Sequence, residues 1–388
     1  MDNKKKFTLM NKNTPVLDLI FSFRRGGYIE DVLKLHNPEY APIGVLDEAN
    51  HVDADDLSDW WEDRALPDTR SNVLQILDEY NVKKPELMVR SLGLSLSDQY
   101  WLRPLTYPEL CWKDINFFTN TFSDEIGKMF FHGRSLKDGN SLLNAYSPEY
   151  SNNGFLKKYW TIVEGERILV KGSFGAFGQQ AYNEVIASRI LKALSCDNYV
   201  TYELEDENSL CKNFITEDTE FVSASMIRRI LPKKDRETYY AHFMRCCERF
   251  GLESNMQKFL DYVIPFDYLI ANEDRNFGNF GVIRNVETLK ITDIAPIFDN
   301  GNSFWYDLAV ITNDGLRSNP FELKQEEQIK LVKDASIFPI DKIGDVTQII
   351  CDVLTQNKNC NGARVSKIIN AFEMRKSMLE QKFLACKF

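Results

Sequence analysis

Asn272-Glu273-Asp274-Arg275-Asn276-Phe277-Gly278-Asn279-Phe280-Gly281 is the stretch that decides how the chain is read. An Asp and an Asn stand five positions apart, just past a segment of helical pattern that runs from Met256 to Ala271. In phosphoryl transfer a carboxylate orients and deprotonates the attacking hydroxyl, and an amide oxygen ligates Mg²⁺. The two glycines let the backbone turn tightly around both side chains. Taken alone, Asp274 and Asn279 also suit a capped turn, because Asp and Asn favour such positions. The case for chemistry rests on their neighbours.

Downstream, Val282-Ile283 and Leu289-Lys290-Ile291-Thr292 read as paired strands that lead to Ile297-Phe298-Asp299-Asn300-Gly301. This puts a second carboxylate, Asp299, at the end of an apolar run. Upstream, Tyr159-Trp160-Thr161-Ile162-Val163 and Arg167-Ile168-Leu169-Val170-Lys171 flank Glu164-Gly165-Glu166, as in a β-hairpin. Lys171 ends the second strand, where an ammonium can neutralise nucleotide phosphates. Ala187, Ile190, Leu191 and Leu194 then place a helix over Ala181 to Leu194, with Glu184 early in it and able to hold Lys171 by an ion pair. A glycine-containing loop, strand Lys, helix Glu, Asp-x4-Asn and Asp-x-Gly follow one another as the parts of a protein kinase do. Each is ordinary alone; the order of all five is not.

The chain has 388 residues, 44% hydrophobic and 27% charged, which suits a globular protein of two domains or lobes. A net charge of -10 disfavours broad attraction to nucleic acid or to an anionic membrane. No apolar run approaches the length of a membrane span. The eight cysteines include the adjacent Cys246 and Cys247 but no C-x-x-C pair, so neither a zinc knuckle nor a thioredoxin-type site is indicated. With no apolar run after the basic Met1 to Lys6, the thiols are expected reduced and the protein cytoplasmic.

Residues 1–6 read as a frayed tail, Val16 to Phe21 as a strand, and Asp47 to Asp68 as an acidic, loop-like region. Leu74, Ile76, Leu77 and Tyr80 suggest a short helix capped by Ser71. Pro104 and Pro108 punctuate a boundary, a loop rich in Gly, Asn and Ser runs from Asp138 to Gly154, and Pro265 should kink or divide its helix. Several helices are expected from Phe321 to Phe388. The fold expected is α+β and bilobal, like a protein kinase: a module at 1–110, a mixed N-lobe with an antiparallel sheet at 111–215, and a mainly helical C-lobe at 216–388.

At Lys158-Tyr159-Trp160, Val170-Lys171-Gly172, Asn183-Glu184-Val185 and Asp274-Arg275-x-x-x-Asn279-x-Gly281 the chain resembles the HipA-like serine/threonine kinases. That family includes toxin kinases of toxin–antitoxin pairs and the CtkA-type kinases. The resemblance runs from about Tyr146 to Ser303. It implies an ATP- and Mg²⁺-dependent kinase acting on a protein Ser or Thr, with an antitoxin or regulatory protein as partner. It implies that Asp274 is the catalytic base, that Asn279 and Asp299 bind Mg²⁺, and that Lys171 contacts the nucleotide with Glu184 orienting it. Ser147 to Gly154 would cover the phosphates, with Ser147 and Ser151 as autophosphorylation candidates. Many relatives have His where this chain has Asn276, and Asn300 stands where Asp-Phe-Gly has Phe.

Two other readings compete: a nucleotide-binding pseudokinase acting as an interaction module, and a small-molecule phosphotransferase. A dinucleotide site at Gly172-Ser173-Phe174-Gly175-Ala176-Phe177-Gly178 has the wrong glycine spacing, and no Walker A sequence is present. His36, His51, His132 and His242 are scattered, Cys246-Cys247 suits buried packing, and the basic run from Arg228 to Arg236 reads as a solvated face.

Overall fold

Lys4 to Lys6, expected to fray, instead begin strand β1 (Lys4–Asn11). They are held there by pairing with β2 (Thr14–Ser22) and by the Lys4–Glu30 ion pair. β2 also pairs with β3 (Tyr28–Leu35). The computed structural model describes residues 4–385 except 25–26, 48, 68–72, 75–76, 78–87, 134–145, 155 and 345. The helix expected around Leu74 to Tyr80 lies mostly outside the described residues, as does the first half of the 138–154 loop.

Leu17, Leu19 and Phe21 alternate along β2 and are fully buried. The acidic stretch read as a loop contains helix α1 (Ala54–Arg64). Asp53 caps it, accepting the Asp55 N–H at 2.7 Å, and Asp55 and Asp56 suit the positive end of the helix. Leu57, Trp60, Trp61 and Arg64 form its buried stripe, and Trp61 meets Phe21 edge to face at 5.9 Å. The acidic residues occupy the other side, so the charge that suggested a loop is one face of an amphipathic helix. β4 (Tyr100–Pro104) completes an antiparallel sheet of order β3-β2-β1-β4. Arg64 spans from α1 to Asp98 with two hydrogen bonds of 2.7 and 2.8 Å.

Helix α2 (Glu125–His132) and the turn Pro148–Ser151 precede β5 (Lys158–Val163) and β6 (Glu166–Lys171). Glu164 (φ 51°) and Gly165 (φ 85°) are both left-handed, as the expected two-residue hairpin requires.

Two compact units share the chain. The first comprises Met1–Val170, Lys212–Val222 and Ile283–Asp293; the second comprises Lys171–Cys211, Ser223–Val282 and Ile294–Phe388. Helix α3 (Gln180–Ala193) opens the second, followed by the antiparallel pair β7 (Glu203–Glu205) and β8 (Asn208–Lys212). β9 (Thr219–Ser223) lies mostly in the first unit. Helices α4 (Tyr239–Glu248) and α5 (Glu253–Leu269) belong to the second. Pro265 does not divide α5. Burying Val263, Ile264, Phe266 and Leu269 is worth about 1.5–3 kcal/mol each, more than the ~3 kcal/mol a helix-interior proline costs.

β10 (Gly281–Asn285) and β11 (Ile291–Ile294) are the strands expected there, and they join β9 in the order β11-β10-β9. Buried Arg284 on β10 pairs with Glu220 on β9 and donates to the Tyr100 hydroxyl at 2.8 Å, all within the first unit. The second unit ends in α6 (Thr347–Leu354) and α7 (Gly362–Ala385). Helix α5 lies against α4 and α7, and α6 against α3 and α7. Cys246 and Cys247 are fully buried, as packing residues are. Among the described residues no helix is long and apolar enough to cross a membrane.

Candidate active site

Lys171, Glu184, Asp274, Asn279 and Asp299 all belong to the second unit. The Lys171 ammonium, 4% exposed, lies 2.6 Å from Glu184 Oε1 and 2.6 Å from Asp299 Oδ1. It also donates to the Tyr202 hydroxyl at 3.3 Å. Burial pulls its pKa down, but the charges of Asp299 and Glu184 overcome this and hold it well above the ordinary lysine value. Glu184 sits in the second turn of α3, and its other oxygen, Oε2, accepts the Asn300 backbone N–H at 2.8 Å.

The Asp274 loop is built from side-chain amides. Past α5 the backbone turns left-handed at Ala271 (φ 53°). Asn272 donates to Asp267 Oδ1 at 2.8 Å and accepts the Asp274 N–H at 3.2 Å. Asn276 donates to Asp274 Oδ1 at 2.9 Å and Asn302 donates to Oδ2 at 3.1 Å, so both carboxylate oxygens are held. Burial raises the Asp274 pKa; the Asn276 bond opposes this, the Asp299 charge adds to it, and Asn302 and Arg275 oppose it. Asn279 donates its amide N–H to the Asp274 carbonyl at 2.8 Å. Its amide oxygen has no hydrogen bond among the described residues. A Cβ on Gly278 would lie 3.0 Å from Asn276 Oδ1, so glycine there keeps the turn tight.

Arg275, 3% exposed, pairs with Asp267 through two bonds of 2.9 and 3.0 Å. Its remaining donors reach the carbonyls of Asn279 and Phe298 and the Asn300 side chain. One guanidinium thereby ties the Asp274 loop to the Asp299 segment. Asp299 has φ 57°, a left-handed conformation that Asp tolerates better than most residues. A Cβ on Gly301 would meet the Gln180 carbonyl at 3.3 Å, and the Gly301 carbonyl accepts from Asn183 at 2.9 Å, which seats this segment on α3.

No family model matches the chain, and no curated protein matches it. Solved structures similar to it include the following two. HipA of Shewanella oneidensis MR-1, from a toxin–antitoxin complex with HipB and operator DNA, aligns over 97% of this chain and 97% of its own, with a TM-score of 0.58 and 11% identity. The chain has the HipA-like kinase fold. The Helicobacter pylori proinflammatory kinase CtkA aligns over 61% of this chain and 94% of its own, with a TM-score of 0.46 and 15% identity. The HipA-like fold is α+β with antiparallel sheets and several helices, as the order of the motifs anticipated.

On this HipA-like fold, Ser147, Ser151 and Gly154 lie in the first unit. Ser147 is fully buried and caps the turn Pro148–Ser151, accepting the Glu149 N–H at 3.4 Å. Ser151 is 6% exposed, and its hydroxyl is buried with no hydrogen-bond partner among the described residues. A phosphate on either hydroxyl requires this turn to open. Gly154 has φ 113°, and a Cβ there would lie 2.6 Å from the Lys158 ammonium.

Asn276 and Asn302 are the two clamps on Asp274. In the sequence Asn276 stands out only as a departure from His two residues past Asp274. Asn302 is far in sequence and carries no such signal. Among the described residues no three His, Cys, Asp or Glu side chains cluster as a metal cage. Mg²⁺ does not need one, since it is commonly held by one or two carboxylates plus substrate phosphates. The donor set fits that ion: a partly exposed carboxylate at Asp299 and an amide oxygen at Asn279.

Proposed function

We propose that the protein is an ATP- and Mg²⁺-dependent serine/threonine protein kinase. The observation that carries the reading is Lys171 held between Glu184 and Asp299 in the same unit as an Asp274 whose two oxygens both accept amide N–H groups. ATP with Mg²⁺ supplies the phosphoryl group and the charge that offsets it. Lys171 holds the non-transferred phosphates, and Glu184 keeps it in place. Asn279 and Asp299 would hold the Mg²⁺. Asp274 aligns the acceptor hydroxyl and takes its proton; burial that raises its pKa makes it a better base than a solvated Asp.

The kinase reading is preferred to a pseudokinase because both departures from the family pattern have work in the site. Asn276 holds Asp274, while Asn300 binds Arg275 through its side chain and Glu184 through its N–H. A protein acceptor, a regulatory partner of antitoxin type, autophosphorylation at Ser147 or Ser151 and a cytoplasmic setting belong to the same proposal.

The test is incubation of the purified protein with γ-labelled ATP and Mg²⁺ beside Asp274→Ala, after intact mass has excluded prior phosphorylation. We expect label in the wild type alone, and a loss of about 10²–10⁴-fold in the variant with ATP still bound. Label in neither, with ATP bound by both, would favour the interaction module or a kinase that needs its own substrate. Label passed to small hydroxylated acceptors but not to protein would favour the small-molecule phosphotransferase.

A further inference from the structure

Helix α7 places two buried arginines, Arg364 and Arg375, eleven positions apart, about three turns along one face. Arg364 is 7% exposed and Arg375 is 0% exposed. Among the described residues neither guanidinium pairs with a carboxylate, an unusual state for a buried cation. The partners are neutral oxygens and rings, with the Cys360 thiol beside Arg364. Arg364 donates to the carbonyls of Trp305 at 2.7 Å and Leu308 at 2.8 Å, and twice to Gln179 Oε1 at 3.2 Å. It also lies 3.5 Å from the centre of the Phe177 ring. Arg375 donates to the Tyr268 carbonyl, to Gln325 Oε1 and, at 3.4 Å, to the Asn313 carbonyl, and it stacks 3.9 Å from the Tyr268 ring.

These oxygens sit where the site is hung. Tyr268 lies at the end of α5, immediately before the Asp274 loop. Gln325, held by Arg375, donates to the Asn272 carbonyl at 2.8 Å, and Asn272 binds both Asp267 and the Asp274 N–H. Phe304 (φ 51°) and Trp305 (φ 54°) follow Asp299 to Asn302 and are consecutive left-handed residues, a conformation bulky side chains rarely adopt. Their two carbonyls are the ones bound, Phe304 by Gln179 at 2.9 Å and Trp305 by Arg364. Gln179 also donates to Asn183, which holds the carbonyls of Gly301 and Ser303.

We propose that Arg364 and Arg375 are positioning residues for phosphoryl transfer, a two-point brace by which α7 fixes the Asp274 loop and the strained segment behind Asp299. The proposal rests on the kinase reading for its chemistry but not for its geometry. A planar five-donor fork explains why arginine stands here: an ammonium cannot reach two carbonyls and a side-chain amide in one plane.

The test uses the full chain with Arg364→Lys and Arg375→Lys, which keep the charge and lose the fork, beside the wild type and Asp274→Ala. Turnover of Mg²⁺-ATP and hydrogen exchange of peptides over 268–279 and 299–308 are measured together. We expect each Lys variant to lower kcat about 10²-fold, as a displacement near 1 Å does, with the KM for ATP nearly unchanged. Exchange should quicken in those two stretches and not over 347–354. Wild-type kcat in the variants would overturn the proposal. So would exchange that rises evenly through the second unit with KM rising alongside, the mark of a merely structural arginine. If the wild type turns over no more ATP than Asp274→Ala, the kinase reading fails and exchange alone decides the brace: quickening confined to the two stretches keeps it, and wild-type exchange ends it.

Discussion

Both oxygens of Asp274 accept hydrogen bonds from amides, which favours its charged form, while burial favours the neutral one. Removing either donor by Asn276→Ala or Asn302→Ala lets burial gain. The Asp274 pKa then rises, and the acidic limb of the kcat/KM profile is expected to move to higher pH, with the rate on the alkaline plateau less affected. A pH–rate series on the two variants checks the sign. Asp299 needs a replacement that tolerates φ 57°, and Asn does so where Ala adds backbone strain. Asp299→Asn is expected to weaken Mg²⁺-ATP binding in titration calorimetry, and unchanged affinity would remove Asp299 as a ligand. The Lys171–Glu184 ion pair was legible because a charged group at a set distance from a strand or helix end leaves a mark in one dimension. The Asn302 bond to Asp274 was not, because it spans 28 positions and no local pattern announces it.

At the scale of elements, the hairpin of β5 and β6 and the helix expected over Ala181 to Leu194, observed as Gln180–Ala193, followed from period and turn chemistry. Helix α1 was missed although Leu57, Trp60, Trp61 and Arg64 stand at i, i+3, i+4 and i+7. Six acidic residues between Asp53 and Asp63 outweighed a stripe that tertiary packing then selected. Its cap gives a direct test. Asp53→Ala is expected to cost about 1 kcal/mol and to lower the thermal midpoint without changing ATP turnover. Pro265 misled in the other direction, since local propensity argued for a break and burial on both sides of the proline prevented one.

Across the whole molecule, neither unit is a continuous stretch of chain. Glu220 and Arg284 reach the first unit from two later segments, and their buried pair meets Tyr100. Arg284→Ala leaves the Glu220 carboxylate buried and unpaired, and is expected to cost about 3–5 kcal/mol, read by denaturant unfolding of the intact protein. Such pairings across sequence are invisible to local pattern, whereas the α+β class was legible from the order of the motifs. The position of α7 matters in time as well as in space. A ribosome delivers Lys171, Glu184, Asp274, Asn279 and Asp299 before it delivers Arg364 and Arg375. Every unfinished chain that ends between residues 299 and 363 therefore holds the five site residues without the brace, and a message broken after codon 308 would encode a protein with all five of those groups and no α7 to brace them.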